Sequence, residues 1–324
     1  MKTIKIWFTD FYSDFDPENN YFYELLSESY HIELDKNKPE YLIHSCYGND
    51  FLNYNCIKIY YTGENLVPDF NLCDYAIGFH FIDFGNRYLR YPNFALFKDQ
   101  FENLTNKPSE GFSTKKEFFC NFIYSNSKAA PQRDQFFHLL NKYKKISSPG
   151  SHLNNMKMDI GGRFQADWMY SKLHFQSKCK FTIAFENSSS PGYTTEKILH
   201  AFLANTIPIY WGNPDISQDF NEQSFINCHN YKQFDEVIDH IKNIDENDEL
   251  YNSILSAPPF VKNKIPEQFS RKKLITFFRM IFDQDYNLAR KRPKYGTTAK
   301  YENNLKSLIK TNSKIKKITT FFGK

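Results

Sequence analysis

Apolar residues along this chain recur with two different periods. Short β-prone runs predict strands, and these runs cover residues 4–8, 40–48, 57–65, 74–82, 118–126, 180–186 and 206–212. Segments with apolar residues three or four positions apart predict helices, which cover residues 20–29, 131–145, 234–244 and 270–282. Strands that alternate with helices in this way predict an α/β fold with parallel sheets.

The segment 180–212 contains a strand, a loop, a helix and a second strand. Its helix shows an apolar stripe at Ile198, Leu199, Phe202 and Leu203. Thr194 or Thr195 is the N-cap candidate. The loop lies at the carboxyl end of the first strand, where open α/β sheets bind ligands and helix N-termini attract anions. Lys197 in the first turn opposes the helix dipole, so it is either a solvated lysine or part of a site for an anion such as pyrophosphate.

Length and composition indicate a folded protein of two domains. The chain has 324 residues, of which 41% are hydrophobic and 18% aromatic, so large buried cores are expected. The loop at residues 147–155, rich in serine, asparagine, proline and glycine, is the candidate boundary. We therefore predict domains at residues 1–146 and 147–286, followed by a tail at 287–324.

The cysteines and the N-terminus bear on the compartment. The six cysteines form no CxxC pair and show no metal-ligand spacing with histidine, which favours buried thiols in a reducing compartment. The first residues alternate as a strand and lack the apolar core of a signal peptide. No stretch has the roughly 18 apolar residues that cross a bilayer. These observations predict a cytoplasmic protein.

The net charge of +4 is distributed unevenly. From residue 287 onward eleven Lys and Arg accompany Glu302 as the single acidic residue, so this tail carries +10 and residues 1–286 carry −6. If residues 303–322 are helical, one arc holds Lys306, Lys310, Lys314 and Lys317. Such a basic amphipathic helix predicts peripheral binding to an anionic surface, here the inner membrane. The alternative is a tail that packs on the acidic body of its own chain.

Two parts of the sequence resemble a known family. AFENSSSPGYTTEKI at 184–198, followed by AFLANTIPIYWGNPDISQDFN at 201–221, resembles the donor-binding signature of glycosyltransferase family 10, the α-1,3/4-fucosyltransferases. YYTGENLVPDFNLCDYAIGFHFIDFGNRYLRYP at 60–92 resembles the acceptor domain of bacterial members. A match in two separate parts of the chain is more specific than a single short motif.

The resemblance implies a B-type glycosyltransferase fold, an α/β architecture with two Rossmann-like domains facing across a cleft. It implies that the N-terminal domain binds the acceptor and the C-terminal domain binds GDP-β-L-fucose. The implied reaction is inverting α-1,3 transfer of L-fucose to GlcNAc of a β-galactosyl-GlcNAc acceptor. This gives Lewis-type glycans such as those of lipopolysaccharide. GDP-L-fucose is the donor substrate, and no cofactor is expected.

For the catalytic base, the resemblance implies Glu64 in YYTGEN. A glutamate at the end of an apolar strand can remove the acceptor hydroxyl proton. The alternative is a turn glutamate that only accepts backbone hydrogen bonds. Asp69 and Asp83 are the competing carboxylates nearby.

On the donor side, Lys197 is expected to meet the pyrophosphate as GDP departs. Glu196 is expected to accept hydrogen bonds from ribose or fucose hydroxyls, and we count both residues among the catalytic candidates. Asn187 and Tyr193 are predicted to shape the same pocket. Glu186 is interpreted as structural.

One departure from the family concerns the phosphates. Bacterial relatives place an arginine in a glycine-rich loop where this chain has Leu153. Arg133 is the first candidate to replace it and is therefore included among the donor-binding residues. Lys157 and Arg163 are weaker candidates.

Other functions are weighed as alternatives. A B-type enzyme with another linkage or nucleotide sugar is the first, and a non-catalytic carbohydrate-binding protein is a minor one. A nucleic-acid binder is disfavoured because the body of the chain is acidic and lacks a nucleic-acid motif. No metal site is predicted, since the triplet around Asp14 and Asp16 is interpreted as a polar loop.

Overall fold

The structure is a computed structural model that describes residues 1–105, 116–157, 160 and 168–322. The strands in this part of the chain are β1 Thr3–Thr9, β2 His31–Leu34, β3 Tyr41–His44, β4 Ile57–Tyr61, β5 Tyr75–Gly78, β6 Tyr88–Arg90, β7 Phe118–Asn121, β8 Ile146–Ser147, β9 Cys179–Phe185, β10 Ile207–Trp211 and β11 Ile226–Asn227. The α-helices are α1 Tyr21–Ser27, α2 Lys98–Glu102, α3 Gln132–Tyr143, α4 Trp168–Ser177, α5 Glu196–Leu203, α6 Phe234–Glu246, α7 Asp248–Ser256, α8 Arg271–Phe282, α9 Tyr286–Ala289 and α10 Gly296–Phe322.

The chain divides into two compact units. The first unit contains residues 1–78, 82–91 and 271–324, and the second contains residues 79–81 and 92–270. Each unit has its own parallel sheet, and within each unit helices connect strands that follow one another along the chain. This is the two-domain α/β architecture that the sequence predicts.

The sheet of the first unit has six strands in the order β2-β1-β3-β4-β5-β6, all parallel. Its central strands are continuous apolar runs because both faces of a parallel sheet are covered. Ile57 and Ile59 of β4 are fully buried, for example. The strands β1, β3 and β4 are neighbours, so the loops that follow them meet at one edge of the sheet.

The sheet of the second unit has five parallel strands in the order β11-β10-β9-β7-β8. A core of aromatic and aliphatic residues packs around it, including Phe122, Phe136, Phe181 and Phe185. The strand β9 lies in the middle, between β10 and β7. The loop between β9 and α5 therefore starts from the best-supported strand of this sheet.

The predicted domain boundary at residue 147 differs from the division in the structure. Because β7 pairs with β9, and β8 with β7, residues 92–146 lie with the second unit. The helix α8 and residues 283–286 lie with the first unit instead. Parallel pairing joins strands far apart in sequence, so the periodicity of a strand does not tell which sheet it enters.

The predicted helix at residues 303–322 is confirmed as part of α10. Its first turns pack on the first unit, where Leu305 and Ile309 contact a core cluster that contains Leu42 and Phe51. Glu302 forms ion pairs with Lys58 and Arg292 in the same unit. The beginning of the tail thus follows the alternative of packing on its own chain, since these apolar residues are already covered. None of the described helices is both long and apolar enough to cross a membrane.

Candidate functional site

In the second unit, the site begins where β9 ends. Glu186 follows the last residue of β9 and is fully buried, and its backbone N–H donates to Trp211 O of β10 at 2.8 Å. The loop that follows runs to Thr195, the N-cap of α5. The predicted strand, loop, helix and strand are therefore confirmed, and Lys197 lies in the first turn of the helix.

Glu186 joins the strand end to the helix start. Its carboxylate accepts hydrogen bonds from Thr195 N and Thr195 Oγ1, both at 2.7 Å. Lys197 Nζ donates to the same carboxylate at 2.9 Å and to Thr195 Oγ1 at 2.9 Å. The lysine retains 16% exposure of its side chain, whereas that of Glu186 has none. The sequence left two alternatives for Lys197, a solvated lysine or part of a site for an anion. The structure matches neither completely, because a buried carboxylate already neutralises part of its charge.

The charges of this helix start depend on each other. Burial raises the pKa of Glu186, and the ammonium group of Lys197 opposes that rise. Burial would lower the pKa of Lys197, but the carboxylates of Glu186 and Glu196 raise it above its ordinary value. Desolvation would raise the pKa of Glu196, but the charges of Lys197 and Lys172 outweigh it and lower this pKa to about 2. At neutral pH, Lys197 is cationic and Glu196 is anionic.

A second contact supports the helix from behind. Lys172 Nζ of α4 lies 3.0 Å from His200 Nδ1 of α5, and both side chains are buried. Burial and the charge of Lys172 hold the pKa of His200 well below its usual range, so the imidazole is neutral and accepts the hydrogen bond. His200 lies one turn after Glu196. The position of α5 is therefore fixed by polar contacts at its N-terminus, through Glu186, and one turn later, through His200.

Two glycines allow the close packing of this loop. Gly192 has φ +86°, and a Cβ there would lie 2.3 Å from the carbonyl oxygen of Phe79. A Cβ on Gly212 would lie 2.4 Å from Cγ of Glu186. Neither position tolerates a larger residue without a shift of the backbone or of Glu186.

Tyr193 is buried, and its ring packs edge-on to Phe79 at 4.9 Å between centroids. Tyr210 is also buried, and its hydroxyl oxygen accepts a hydrogen bond from Asn213 N at 3.0 Å. Tyr210 is thus a core aromatic. Tyr193 supports the loop through its buried contact with Phe79.

Arg133 lies at the start of α3 and is fully buried. Its guanidinium stacks over the ring of Tyr124 at 4.4 Å and donates to Asn126 O and, at 3.3 Å, to Asn187 Oδ1. Arg133 and Asn187 are therefore brought together beside the loop, as the prediction of a shared donor site requires. The burial of Arg133 favours a supporting role over direct contact with a phosphate.

The loop that follows β8 contains the position where bacterial relatives have arginine. Leu153 has φ +54°, in the left-handed region, and its side chain packs on the core of the second unit. The neighbouring His152 is tied to Asp134 of α3 at 2.9 Å. Lys157 is exposed, and Arg163 lies outside the described residues.

In the first unit, Glu64 lies three residues after β4. Thr62 Oγ1 accepts a hydrogen bond from Glu64 N at 2.9 Å, which fixes the turn. Tyr47 Oη donates to Glu64 Oε1 at 2.9 Å. The glutamate is half-buried at the carboxyl edge of the sheet, where parallel sheets bind ligands. Its carboxylate thus binds Tyr47, which lies outside the turn.

The competing carboxylates have other partners. Asp69 accepts hydrogen bonds from Asn71 N at 2.9 Å and from Tyr301 Oη at 3.0 Å. Asp83 lies in a turn and accepts from Gly85 N at 3.3 Å. Both therefore serve local structure. Among the described residues, no group of three or more His, Cys, Asp or Glu side chains has the arrangement of a metal site.

The role of Glu186 is the main feature that the sequence interpretation missed. The sequence interpretation of Glu186 as structural includes no contact with Lys197. The structure makes it the direct partner of Lys197. The available signal was the lysine itself, because a cation in the first turn of a buried helix needs a nearby carboxylate.

Comparison with known families gives two matches. Residues 6–97 match the family described as "Alpha-(1,3)-fucosyltransferase FucT N-terminal domain". Residues 112–268 match the family described as "Glycosyltransferase family 10 (fucosyltransferase) C-term". The two matches cover the separate parts of the chain that contain Glu64 and Lys197.

Individual relatives agree with these matches. An α-(1,3)-fucosyltransferase FucT of Helicobacter pylori is 34% identical over 311 residues, which cover 83% of this chain and 63% of the relative. A putative fucosyltransferase of Acanthamoeba polyphaga mimivirus is 36% identical over 149 residues, 45% of this chain and 24% of the relative. This chain therefore spans less than two thirds of the length of these curated relatives.

A solved structure extends the likeness to the fold. The crystal structure of an α1,3-fucosyltransferase with GDP-fucose is 31% identical, with a TM-score of 0.72. The match covers 88% of this chain and 93% of that chain. The fold and the sequence therefore point to the same family.

Proposed function

Because the chain belongs to glycosyltransferase family 10, the fucosyltransferases, we propose that it transfers L-fucose from GDP-β-L-fucose to a sugar hydroxyl with inversion at the anomeric carbon. The observation that carries this proposal is the side chain of Lys197, which retains 16% exposure and is held at the N-terminus of α5 by Glu186. A fixed cation at a helix N-terminus is suited to a departing diphosphate. The solved relative with GDP-fucose supports the choice of donor.

On the donor side, Lys197 stabilises the negative charge that develops on GDP as the bond from fucose C1 to the phosphate oxygen breaks. Two of its three N–H groups have partners in the described part of the chain, Glu186 and Thr195. The remaining one is left for a phosphate oxygen. Glu196 accepts hydrogen bonds from ribose or fucose hydroxyls, since it stays ionised well below neutral pH. Asn187, Tyr193 and Arg133 support this loop.

On the acceptor side, Glu64 is the general base. It removes the proton of the acceptor hydroxyl as that oxygen forms the new bond to fucose C1. The transition state has oxocarbenium character, so one base and one site of charge stabilisation are sufficient. The position of Glu64 at the carboxyl edge of its sheet supports this role.

The acceptor is proposed to be GlcNAc of a β-galactosyl-GlcNAc unit, with transfer to its 3-hydroxyl. Support comes from the H. pylori relative, which is an α-(1,3)-fucosyltransferase by name. The product would be a Lewis-type glycan, such as those of lipopolysaccharide. Another linkage or another nucleotide sugar is the alternative.

A screen of donors and acceptors tests this proposal. GDP release is followed with GDP-fucose, GDP-mannose and UDP-sugars against β-galactosyl-GlcNAc, and the linkage of the product is assigned by NMR. We expect turnover with GDP-fucose and an α-1,3 linkage. Turnover with another donor alone contradicts the proposal. GDP binding by calorimetry separates an enzyme from a carbohydrate-binding protein, which has no reason to bind GDP.

A substitution of Glu64 tests the assignment of the base. Glu64→Gln is expected to lower kcat by about 10²- to 10⁴-fold and to leave GDP affinity nearly unchanged, because the amide cannot take up the proton. Asp83→Asn is the matched control and should keep most of the activity. Equal losses in both variants contradict the assignment.

No metal ion is required in this proposal, because Lys197 and the N-terminus of α5 supply the positive charge for the diphosphate. We expect transfer to continue in excess EDTA at the rate seen without it. A loss of activity that added Mg²⁺ or Mn²⁺ restores contradicts this part of the proposal.

The end of the tail is proposed to hold the protein on the inner membrane. Lys314, Lys316, Lys317 and Lys324 follow Glu302, Leu305 and Ile309 in the sequence, and the side chains of these four lysines lie outside the described part of the structure. Basic residues near an anionic surface contribute about 1 kcal/mol each. The proposed location is therefore cytoplasmic and peripheral.

Two truncations test the membrane proposal. A chain that ends at Asn312 keeps the contacts of Glu302 and is expected to keep transfer to a soluble acceptor while it loses sedimentation with anionic liposomes. A chain that ends at Tyr301 loses these contacts and is expected to be unstable. Full sedimentation of the chain that ends at Asn312 contradicts the proposal.

A further inference from the structure

A group of aromatic rings lies at the carboxyl edge of the first unit's sheet. The rings of Phe11 and Phe15 stack at 4.0 Å, and Tyr12 packs edge-on to Phe15 at 5.8 Å. Phe11 also stacks with Tyr61, the last residue of β4, at 6.2 Å. Tyr12 is 58% exposed, while Phe11 and Phe15 are half-buried. We call Phe11, Tyr12 and Phe15 the aromatic platform.

The aromatic platform lies at the same edge of the sheet as the candidate base. The backbone carbonyl of Asp10, next to Phe11, accepts a hydrogen bond from Tyr47 N at 2.9 Å. Tyr47, which is 53% exposed, donates its hydroxyl to Glu64 at 2.9 Å. These loops follow β1, β3 and β4, which are neighbours in the sheet. Aromatic faces and the carboxylate therefore share one edge.

The local charge selects the kind of ligand. Asp14 and Asp16, both exposed, flank Phe15. Carboxylates at this position repel anions and accept hydrogen bonds from hydroxyl groups. Exposed aromatic rings stack favourably on the apolar C–H face of a ligand, because removing aromatic surface from water lowers the free energy. A neutral hexopyranose ring has both features, because one face carries C–H groups and its rim carries hydroxyls.

We propose that the aromatic platform binds the galactose ring of the acceptor, the sugar that does not react, and that Tyr47 positions the carboxylate of Glu64. This inference rests on the proposed function and deepens it. The galactose ring stacks on Tyr12 and Phe15, and this contact holds the disaccharide in place. Asp14 accepts hydrogen bonds from its hydroxyls, as does the oxygen of Asp16 that is not bonded to Glu18 N; the other oxygen accepts from that N–H at 2.9 Å. The reacting GlcNAc then lies towards Glu64, which Tyr47 keeps in one rotamer.

Tyr12 is the residue to change first, because it is exposed and its loss should not unfold the unit. Tyr12→Ala is expected to raise KM for β-galactosyl-GlcNAc about tenfold, the loss typical of one aromatic contact. The values of kcat and of KM for GDP-fucose should stay the same. Tyr12→Phe should restore the wild-type KM, because the ring and not the hydroxyl makes the contact. Tyr295→Ala, at a tyrosine that is 84% exposed in the same unit, is the matched control.

Free GlcNAc as acceptor gives a second comparison. Since it lacks galactose, Tyr12→Ala should not change its KM. An unchanged KM for the disaccharide, or equal effects on both acceptors, overturns the platform while the proposed function stands. If the wild-type chain transfers no fucose, the proposed function fails instead. Saturation-transfer NMR with the disaccharide then still tests the platform, since galactose signals are expected in the wild type and not in Tyr12→Ala.

Tyr47 is tested separately through kcat and KM. Tyr47→Phe keeps the ring and removes the hydrogen bond to Glu64. The value of kcat should fall by about 3- to 10-fold, the usual effect of losing one hydrogen bond, because the carboxylate is no longer held in one rotamer. KM for the acceptor should change little. An unchanged kcat overturns the positioning role of Tyr47.

Discussion

Each unit of this molecule contains a cluster in which a cationic side chain lies beside a buried carboxylate. The two clusters differ in how much of the cationic side chain is exposed. In the first unit, Arg292 has 3% side-chain exposure and contacts Asp74, Glu302 and Cys56 O through its three guanidinium nitrogens. In the second unit, Lys197 retains 16% exposure. The first cluster is closed by its own chain, whereas the lysine side chain of the second keeps some contact with solvent.

The closed cluster is also the more extensive. Asp74 is fully buried and accepts hydrogen bonds from three backbone N–H groups, those of Lys58, Lys291 and Arg292, and from Arg292 Nε. Burial and the nearby Arg292 lower the pKa of Lys58. Every partner in this cluster belongs to the first unit. The comparison indicates that a closed cluster fixes the fold and that a partly open one is suited to a ligand.

The two clusters also respond differently to the loss of one member. Without Lys197, Glu186 can take up a proton, because burial raises its pKa already in the wild type. Without Asp74, Arg292 cannot become neutral, since a guanidinium keeps its charge in proteins. Loss of Asp74 therefore leaves the cluster with one excess buried positive charge, because Glu302 remains as the single carboxylate beside both Arg292 and Lys58.

The largest expected effect is on the stability of the first unit. Asp74→Ala should lower its free energy of unfolding by about 3–5 kcal/mol, the usual result of breaking a buried ion pair. Native-state hydrogen exchange of peptides from β4 measures this loss, while peptides from β9 report the second unit. The matched control is Asp239→Ala, which removes an exposed ion pair with Lys242. Wild-type protection of β4 in Asp74→Ala would show that the cluster adds no stability.

A smaller effect is expected on ligand binding by the second unit. Lys197→Ala should weaken GDP binding by about 1.5–3 kcal/mol, or roughly 10- to 100-fold, because one charge-assisted contact is lost. Protection of β9 should fall less than protection of β4 falls in Asp74→Ala, since Glu186 can become neutral. Calorimetry with GDP measures the affinity, and Lys242→Ala is the matched control. Unchanged GDP affinity would make Lys197 a purely structural residue.

Much of the second unit's site was predictable because its signal is local. The apolar stripe of α5 and the position of Lys197 lie within one short segment, and both are confirmed. The contact of Glu186 with Lys197 was not predictable, because this residue lies just beyond the end of β9, where period-two alternation no longer indicates the direction of a side chain. The orientation of its side chain depends on the contact with the helix that follows.

The first unit was less predictable because its contacts join distant parts of the chain. Glu302 is the single acidic residue in a basic tail, and this composition suggested a membrane-binding helix. In the structure Glu302 accepts hydrogen bonds from Lys58 and Arg292, which lie far apart in sequence. No period or local spacing contains that information. An isolated charge of opposite sign in a charged segment was the available signal.

The smallest expected effect is the pH dependence that His44 gives to the stability of the first unit. His44 lies in the first unit, and burial, with the nearby charge of Lys58, lowers its pKa to about 3. Below pH 6.5 the unfolded chain binds a proton at this histidine and the folded chain does not. The free energy of unfolding therefore falls by about 1.4 kcal/mol for each pH unit between 6.5 and 3 on account of this residue. His44→Phe keeps an aromatic ring against Phe51 and should remove this dependence. Hydrogen exchange of β3 and β4 at pH 6.5 and 5.5 measures the change, with His31→Phe at an exposed histidine as control. An unchanged pH dependence in His44→Phe would mean that another group limits the first unit in acid.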